Sequence, residues 1–206
     1  MNPDLSAIVQ KSEEEPGDAL WVKKARAGEA DGWAELHRRY YVKLWSAANR
    51  IVEDESLAED VVQESFVKAF KEMSRFRGQS KFSTWLYRIT VNRSLDAARK
   101  KSRRQKWLGL FPLEDEKEDS PVREAVAPEP SLSAAELGDY RKALAKALKT
   151  LGAEQRAVVE LRLIQGLSTE ETAAVLRCKN GTVLSRLFYS CRKLQSLLRK
   201  TYEETK

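Results

Sequence analysis

Apolar residues recur at intervals of three and four along most of this chain, which is the spacing that places them on one face of an α-helix. Two neighbouring stretches show it clearly, at Trp33, Leu36, Tyr40, Leu44, Ala47 and Ile51, and then at Val62, Phe66, Ala69, Phe70 and Met73. No segment alternates apolar and polar residues as a half-buried strand does. The sequence therefore predicts an all-α fold.

Composition divides the predicted helices into two groups. We expect a mobile polar tail at residues 1–18 and a first helical domain at 19–110. Residues 111–132 are rich in acidic residues and proline and have no apolar period, so they predict a flexible acidic linker. A second helical domain is expected at 133–206. The prediction is two small helical domains on a tether.

Helix starts are predicted where a Ser precedes a Glu by three residues, because the two side chains can satisfy free backbone N–H groups reciprocally. Asp31 is a further candidate cap, for the helix that follows it. The Ser–Glu pairs are Ser56–Glu59, Ser133–Glu136 and Ser168–Glu171.

A polar loop with a glycine, residues 77–81, separates two helices of the first domain. Such a loop between rigid helices could hold an extruded base. Aromatic and basic residues surround it, and this mixture suits single strands because bases stack on rings while cations hold phosphates. The same aromatics could instead be core residues. They are Phe76, Phe82, Trp85 and Tyr87.

The chain carries a formal charge of +6 and has a pI of about 9.3, which fits a nucleic-acid partner without requiring one. The distribution of charge is more informative than the total. Basic residues cluster from Arg99 to Lys106, at the end of the helix that follows the loop. We expect this run to contact phosphates, in which case binding weakens steeply with salt.

The C-terminal region predicts a short helix at Thr169–Leu176, a tight turn at Arg177–Lys179 and a longer helix from about Asn180. This arrangement is typical of a helix-turn-helix, although an ordinary helical hairpin fits the periodicity equally well. The longer helix would bury one stripe and turn its opposite face and edges towards base edges and phosphates. That face and its edges carry Thr182, Leu184, Ser185, Arg186, Phe188, Tyr189, Arg192 and Lys193.

Leu184 and Phe188 are unexpected beside a solvated face. Two interpretations remain open for them. They could pack against the preceding helices, or they could contact the methyl groups of thymine in the major groove.

Several function classes are disfavoured. Cys178, Cys191 and the single histidine His37 have neither the spacing of a metal site nor that of a disulfide framework. No converging carboxylates predict an enzyme, so we expect no catalysis, no metal and no cofactor. No apolar run approaches the ~18 residues of a membrane span. We therefore expect a cytoplasmic protein without a secretory signal or membrane insertion.

Two segments resemble a known family. AEDVVQESFVKAF, followed by RFRGQSKFSTWLYRITVNRSLD, looks like region two of bacterial sigma factors of the extracytoplasmic-function (ECF) group. LGAEQRAVVELRLIQGLSTEETAAVLRCKNGTVLSRLFYSCRKLQSLL resembles region four of the same group. The resemblance implies a promoter-recognition subunit whose partners are core RNA polymerase, promoter DNA and an anti-sigma factor.

The resemblance also implies roles for residues of the first domain. The second region-two helix would bind core RNA polymerase, with Asp60, Gln63, Glu64 and Phe66 on that surface. The loop would capture a flipped base of the −10 element, with help from the helix behind it. The residues assigned to the −10 element are Arg77, Gly78, Gln79, Ser80, Lys81, Arg88 and Asn92.

In the second domain, the resemblance implies that the longer helix reads the −35 element as duplex. Leu184, Ser185, Arg186 and Phe188 match the family's reading positions, although many members have Arg or Lys at the first of these. Many also have Pro near Lys179–Asn180. With the residues of the outer helical face, the assigned set is Lys179, Asn180, Thr182, Leu184, Ser185, Arg186, Phe188, Tyr189 and Arg192.

A stand-alone helix-turn-helix regulator with an N-terminal sensor or dimerisation bundle is the alternative hypothesis. Such a regulator would bind an operator alone, usually as a dimer on two half-sites. A sigma factor would require core polymerase. A helical nuclease fits less well, because it would need a metal-binding cluster.

Overall fold

The computed structural model describes residues 17–107 and 134–204, which form helices and short connections without a strand. The predicted all-α fold is therefore confirmed for the described residues. A short 3-10 turn, Met73–Arg75, follows the third helix. The first domain comprises α1 (Asp18–Arg26), α2 (Ala30–Val52), α3 (Glu55–Glu72) and α4 (Phe82–Trp107).

The core of the first domain lies where α2, α3 and α4 meet, and most apolar positions predicted from the helical spacing point into it. Phe70 was expected to be buried, and this prediction is wrong: its side chain is 61% exposed. The inward face of α3 runs through Val62, Phe66 and Ala69, so Phe70 falls beside it and rests on the ring of Trp33. The largest fully buried apolar side chains of this domain are Leu36, Leu44, Ile51, Val62, Leu86 and Val91.

Helix α1 is held on α2 by its first residue. Asp18 was placed at the end of the polar tail, but it begins α1 and is buried. Its carboxylate accepts hydrogen bonds from the Tyr40 hydroxyl and, at 3.3 Å, from Arg39 Nη1. The two helices approach closely at Gly32, where an added Cβ would lie 2.5 Å from the backbone nitrogen of Ala25.

Replacing Gly32 by Ala should lower the free energy of unfolding by about 1–3 kcal/mol, since α1 would have to move away from α2. Gly138→Ala is the matched control, because Gly138 is also helical and has nothing within 4 Å of an added Cβ. At Gly138, the better helix propensity of Ala should raise the free energy of unfolding by up to about 1 kcal/mol. Urea unfolding measures both; equal effects would contradict the close contact.

The start of α3 differs from the prediction. Asp54, not Ser56, is the cap: its backbone is extended and its Oδ1 accepts a hydrogen bond from the Leu57 N–H at 3.1 Å. Lys101 Nζ lies 3.1 Å from the other carboxylate oxygen. The Leu57 hydrogen bond and Lys101 both lower the pKa of Asp54. Asp31 is also not a cap, because it lies in the first turn of α2.

The second domain packs α5 and α7 around α6 and α8. The capping box at Ser168 is confirmed, with Glu171 N–H donating to Ser168 Oγ at 3.1 Å and Ser168 N–H donating to Glu171 at 2.8 Å. The predicted cap Ser133 lies outside the described residues. Tyr140 fits an apolar helical spacing along α5, but its side chain is exposed. The helices are α5 (Ala134–Leu148), α6 (Ala153–Val159), α7 (Thr169–Leu176) and α8 (Asn180–Glu204).

The helix-turn-helix consists of α7, a turn and α8. Arg177 ends α7 in the left-handed region with φ 54°, and its N–H donates to the carbonyl of Ala173. Val183 of α8 and Ala173 of α7 are buried together with Val158 of α6. The predicted short helix, tight turn and longer helix are all found in the structure.

The two domains pack against each other, which the sequence did not predict. Leu161, Leu167 and Val175 of the second domain are buried in the same cluster as the core of the first. Helix α7 lies against α4, and α6 lies against α2. We call this contact the domain joint. The predicted linker, residues 111–132, lies outside the described residues.

Polar contacts reinforce the domain joint, among them an ion pair and two hydrogen bonds from side chains to backbone carbonyls. Arg50 Nη1 lies 2.9 Å from a carboxylate oxygen of Glu160, which is only 1% exposed and begins a π-helical segment, Glu160–Ile164. Burial raises the pKa of Glu160, although Arg50 opposes this effect. Arg156 donates to the carbonyl of Ile51 at 2.9 Å, and Asn92 donates to the carbonyl of Val175 at 2.8 Å.

Candidate functional site

The first candidate surface is the solvent side of α3. Asp60, Gln63 and Glu64 are exposed there, as the sequence predicted. Val67 and Phe70 continue the same side and are 54% and 61% exposed. We call these five residues the α3 outer face. It combines acidic and apolar side chains, and its apolar half was missed, although Val67 follows Gln63 at the spacing of one helical turn.

Phe66 does not belong to this surface. It was assigned to polymerase binding, but its side chain is buried. Its ring centroid lies 4.4 Å from that of His37 and 6.2 Å from that of Trp33. Phe66 therefore supports the α3 outer face from below. It also forms the floor of a shallow apolar hollow, whose lining residues are Trp33, His37, Gln63, Phe66, Val67 and Phe70.

The second candidate surface is the loop of residues 77–81, which we call the reading loop. All five residues are exposed, and Gly78 has a positive φ of 71°. Phe76 and Phe82 anchor the two ends, with ring centroids 5.8 Å apart. The four flanking aromatics are buried, so they form core and are not a stacking platform for bases.

Behind the reading loop, Arg88 and Asn92 of α4 differ in their exposure to solvent. Arg88 is exposed. Asn92 is half-buried, and its side-chain amide donates to the carbonyl of Arg88 at 2.7 Å and to that of Val175 at 2.8 Å. Both N–H donors of this amide are thus used while the domain joint is closed.

The basic side chains at the end of α4 fall into two groups, those in ion pairs with acidic residues and those exposed to solvent. Arg99 lies 3.1 Å from Asp96 and 3.3 Å from Glu154, and Lys101 pairs with Asp54. The other basic side chains are exposed and form a positive strip that could contact phosphates. They are Lys100, Arg103, Arg104 and Lys106.

The third candidate surface is the outer side of α8. Leu184, Phe188 and Tyr189 are 54%, 55% and 45% exposed, so they do not pack against the preceding helices. The Phe188 ring has Tyr189 at 5.5 Å on one side, and the Arg192 guanidinium lies over it at 5.4 Å. Ser185 is also exposed on this side. We call these five residues the recognition face: Leu184, Ser185, Phe188, Tyr189 and Arg192.

Other residues assigned to the −35 element lie around this face. Lys179 and Asn180 are exposed at the start of α8, and Thr182 is half-buried. Arg186 is half-buried and forms an ion pair with Glu154 of α6. The two residues are 32 positions apart, so no local pattern predicts this pair, which turns the guanidinium towards the protein.

The described part of the chain has neither a cluster of metal-binding side chains nor a helix that could span a membrane. Within residues 17–107 and 134–204 there is no group of three potential metal ligands among His, Cys, Asp and Glu. In the same ranges no helix has the length and apolar character needed to cross a membrane. Both cysteines are free thiols, and burial raises the pKa of Cys191.

Comparison with known families and structures matches both domains. Residues 36–104 match Sigma-70 region 2, and residues 141–194 match Sigma-70 region 4. The structure resembles that of CnrH in complex with the cytosolic domain of CnrY, with a TM-score of 0.61 and 27% identity over 90% of this chain and 99% of that one. It also resembles the sigma factor RpoE from Bartonella quintana, solved with the anti-sigma factor NepR, with a TM-score of 0.58 and 27% identity over 80% of this chain and 97% of that one.

Curated relatives agree with these matches along nearly their whole length. The ECF RNA polymerase sigma-E factors of Salmonella typhimurium and Escherichia coli K12 are each 34% identical over 89% of this chain and 97% of their own. The RNA polymerase sigma-H factor of Pseudomonas aeruginosa is 31% identical over 89% of this chain and 96% of its own. The chain therefore belongs to the ECF family of RNA polymerase sigma factors.

Proposed function

We propose that this chain binds core RNA polymerase through the α3 outer face and directs it to promoters that carry suited −35 and −10 elements. The observation that carries the proposal is the presence, in one chain of this family, of three exposed surfaces on two domains. One surface mixes acidic and apolar residues, one is a polar loop, and one is a recognition helix. No single-surface function would need all three.

The reading loop is proposed to capture an unpaired base of the −10 element. Its side chains are exposed and polar, and the buried Phe76 and Phe82 hold its two ends in place. A loop held in this way can form a pocket for an extruded base without rearranging the core. Arg88 and the exposed basic strip of α4 would hold the neighbouring phosphates.

Helix α8 is proposed to read the −35 element in the major groove of the duplex. Lys179 directly precedes α8, and Asn180 and Thr182 lie in its first turn, where free backbone N–H groups favour phosphate. The recognition face then lies towards base edges. Residues 111–132 are proposed to link the two reading domains.

The chain is proposed to contribute no catalysis itself, since RNA synthesis belongs to the core enzyme, and to act in the cytoplasm where that enzyme works. An anti-sigma factor is a further proposed partner. RpoE of Bartonella quintana was solved with such a factor, NepR, and this chain resembles RpoE over most of its length. Such a partner would compete with polymerase for the exposed surfaces.

Run-off transcription on a promoter library tests the proposal, using core polymerase with and without the full chain. We expect transcripts from a subset of promoters only when both are present. A gel shift with the chain alone on the same promoters tests the alternative of a stand-alone regulator. Tight, specific binding without core enzyme, combined with no transcripts, would favour that alternative.

Replacing Gln79 and Ser80 by Ala should change which −10 sequences are transcribed and leave the −35 preference unaltered. A lost base contact should alter discrimination by about 1–3 kcal/mol. Ser74→Ala, at an exposed position of the 3-10 turn before the loop, is the control. Transcript counts from libraries randomised separately at each element measure the effect. Equal loss on all promoters would instead indicate a structural role.

A further inference from the structure

The recognition face carries two exposed side chains without any polar group, Leu184 and Phe188. Leu184 and Phe188 lie one helical turn apart and expose more than half of their side-chain area to solvent. Neither has a hydrogen-bonding group that could read a base. Their placement beside Ser185 and Arg192 puts them in the part of α8 that would face base edges.

The nearest arginine does not compensate for this lack of polar groups. Arg186 is half-buried and paired with Glu154, which also lies 3.3 Å from Arg99. The Arg192 guanidinium lies over the ring of Phe188 at 5.4 Å, so it is engaged with that ring. A bidentate contact from arginine to guanine, the commonest specific contact, is therefore not prepared at the centre of this face.

Thymine is the base whose major-groove edge suits such side chains. Its C5-methyl group is apolar, whereas guanine, adenine and cytosine carry no methyl group on that edge and are distinguished there by donors and acceptors. A leucine or phenylalanine placed against those polar edges would displace water without replacing its hydrogen bonds, which costs free energy. Against a methyl group, the same side chains bury apolar area on both partners.

We propose that Leu184 and Phe188 each recognise the methyl group of a thymine in the −35 element. This proposal rests on the function proposed above and adds which base α8 prefers in the −35 element. Residues four apart on a helix are separated by about 6 Å along its axis. Base pairs are spaced by about 3.4 Å. The two thymines should accordingly lie one to two base pairs apart.

Deoxyuridine provides a direct test, because it differs from thymine only by the missing methyl group. The full chain with core polymerase first selects its preferred −35 sequence from a randomised duplex library. Each thymine of that sequence is then replaced singly by deoxyuridine, and binding of the holoenzyme to the duplex is measured. At two positions we expect affinity to fall roughly three- to five-fold, which corresponds to one buried methyl group.

Variants assign each methyl contact to a side chain. Leu184→Ala should abolish the preference for thymine over deoxyuridine at one of the two positions, and Phe188→Ala should abolish it at the other. Val42→Ala is the matched control, since Val42 is an exposed apolar residue of α2. It should retain both preferences. The readout is the ratio of the affinities of each variant for the thymine duplex and the deoxyuridine duplex. A general loss of affinity does not change this ratio.

The possible failures are distinct. If transcription depends on the −35 element but deoxyuridine has no effect anywhere in it, this inference is wrong and the proposed function stands. The same holds if both single variants retain the thymine preference. If the chain with core polymerase gives no promoter-dependent transcription at all, the proposed function and the inference fail together.

Discussion

Replacing Val67 and Phe70 together by Ser is expected to weaken binding to core RNA polymerase by at least ~10-fold. Truncating an aromatic at the centre of an interface often costs about 2 kcal/mol or more, and Phe70 rests on Trp33 beside an apolar hollow. Both residues are more than half exposed, so the fold should not depend on them. Fluorescence anisotropy of the labelled chain titrated with core enzyme measures the affinity, and thermal unfolding checks the fold.

The matched control is Val42→Ser, an equally exposed apolar-to-polar change on α2. It should leave the affinity unaltered. Charge reversal at Asp60 should also weaken binding, and its effect should shrink at high salt because the residue is exposed. Wild-type affinity for the double Ser variant would remove the α3 outer face from the polymerase interface.

Leu161→Ala is expected to lower the free energy of unfolding by about 2–5 kcal/mol, the usual cost of truncating a fully buried leucine. Leu161 is 0% exposed and lies at the domain joint. Urea unfolding of the free chain measures the change. Leu161 shares its cluster with Leu167 and Val175 of its own domain and with the core of the first domain, so separated domains would lose part of this burial and the effect should be smaller.

Leu184→Ala removes the same atoms from an exposed leucine and serves as the comparison. It should change the free energy of unfolding by no more than about 0.5 kcal/mol. If Leu161→Ala has an equally small effect, the domain joint is not formed in the free protein. A large effect of the first change alone shows that the cluster around Leu161 is packed in solution, as the domain joint requires.

Features that depend on residues close in sequence could be predicted well. The capping box joins Ser168 and Glu171, which are only three positions apart, and the start of α7 followed from it. The start of α3 was less certain because two capping-type residues lie two positions apart. Asp54 serves as the cap, and Lys101, 47 residues away in sequence, is bound to its other oxygen. No local pattern contains that partner.

Periodicity also could not decide side chains at the edge of a helical face. Phe70 and Tyr140 both fit an apolar spacing, yet both are exposed because the neighbouring helices cover only part of each helix. Most residues assigned to the candidate surfaces by pattern and resemblance are exposed, and their binding roles stay predictions. The domain joint was not predicted, because pairs such as Arg50 with Glu160 are 110 residues apart.

Asn92 links the joint to the proposed reading of the −10 element. Its amide has two N–H donors, and the closed arrangement engages both, one of them with Val175 across the joint. A base or phosphate that requires this amide must therefore separate α7 from α4 first. The apparent affinity for the melted strand is then the intrinsic affinity multiplied by the fraction of molecules that are open. Changes that weaken the domain joint should therefore raise the apparent affinity for the melted strand. Changes that stabilise the joint should lower it.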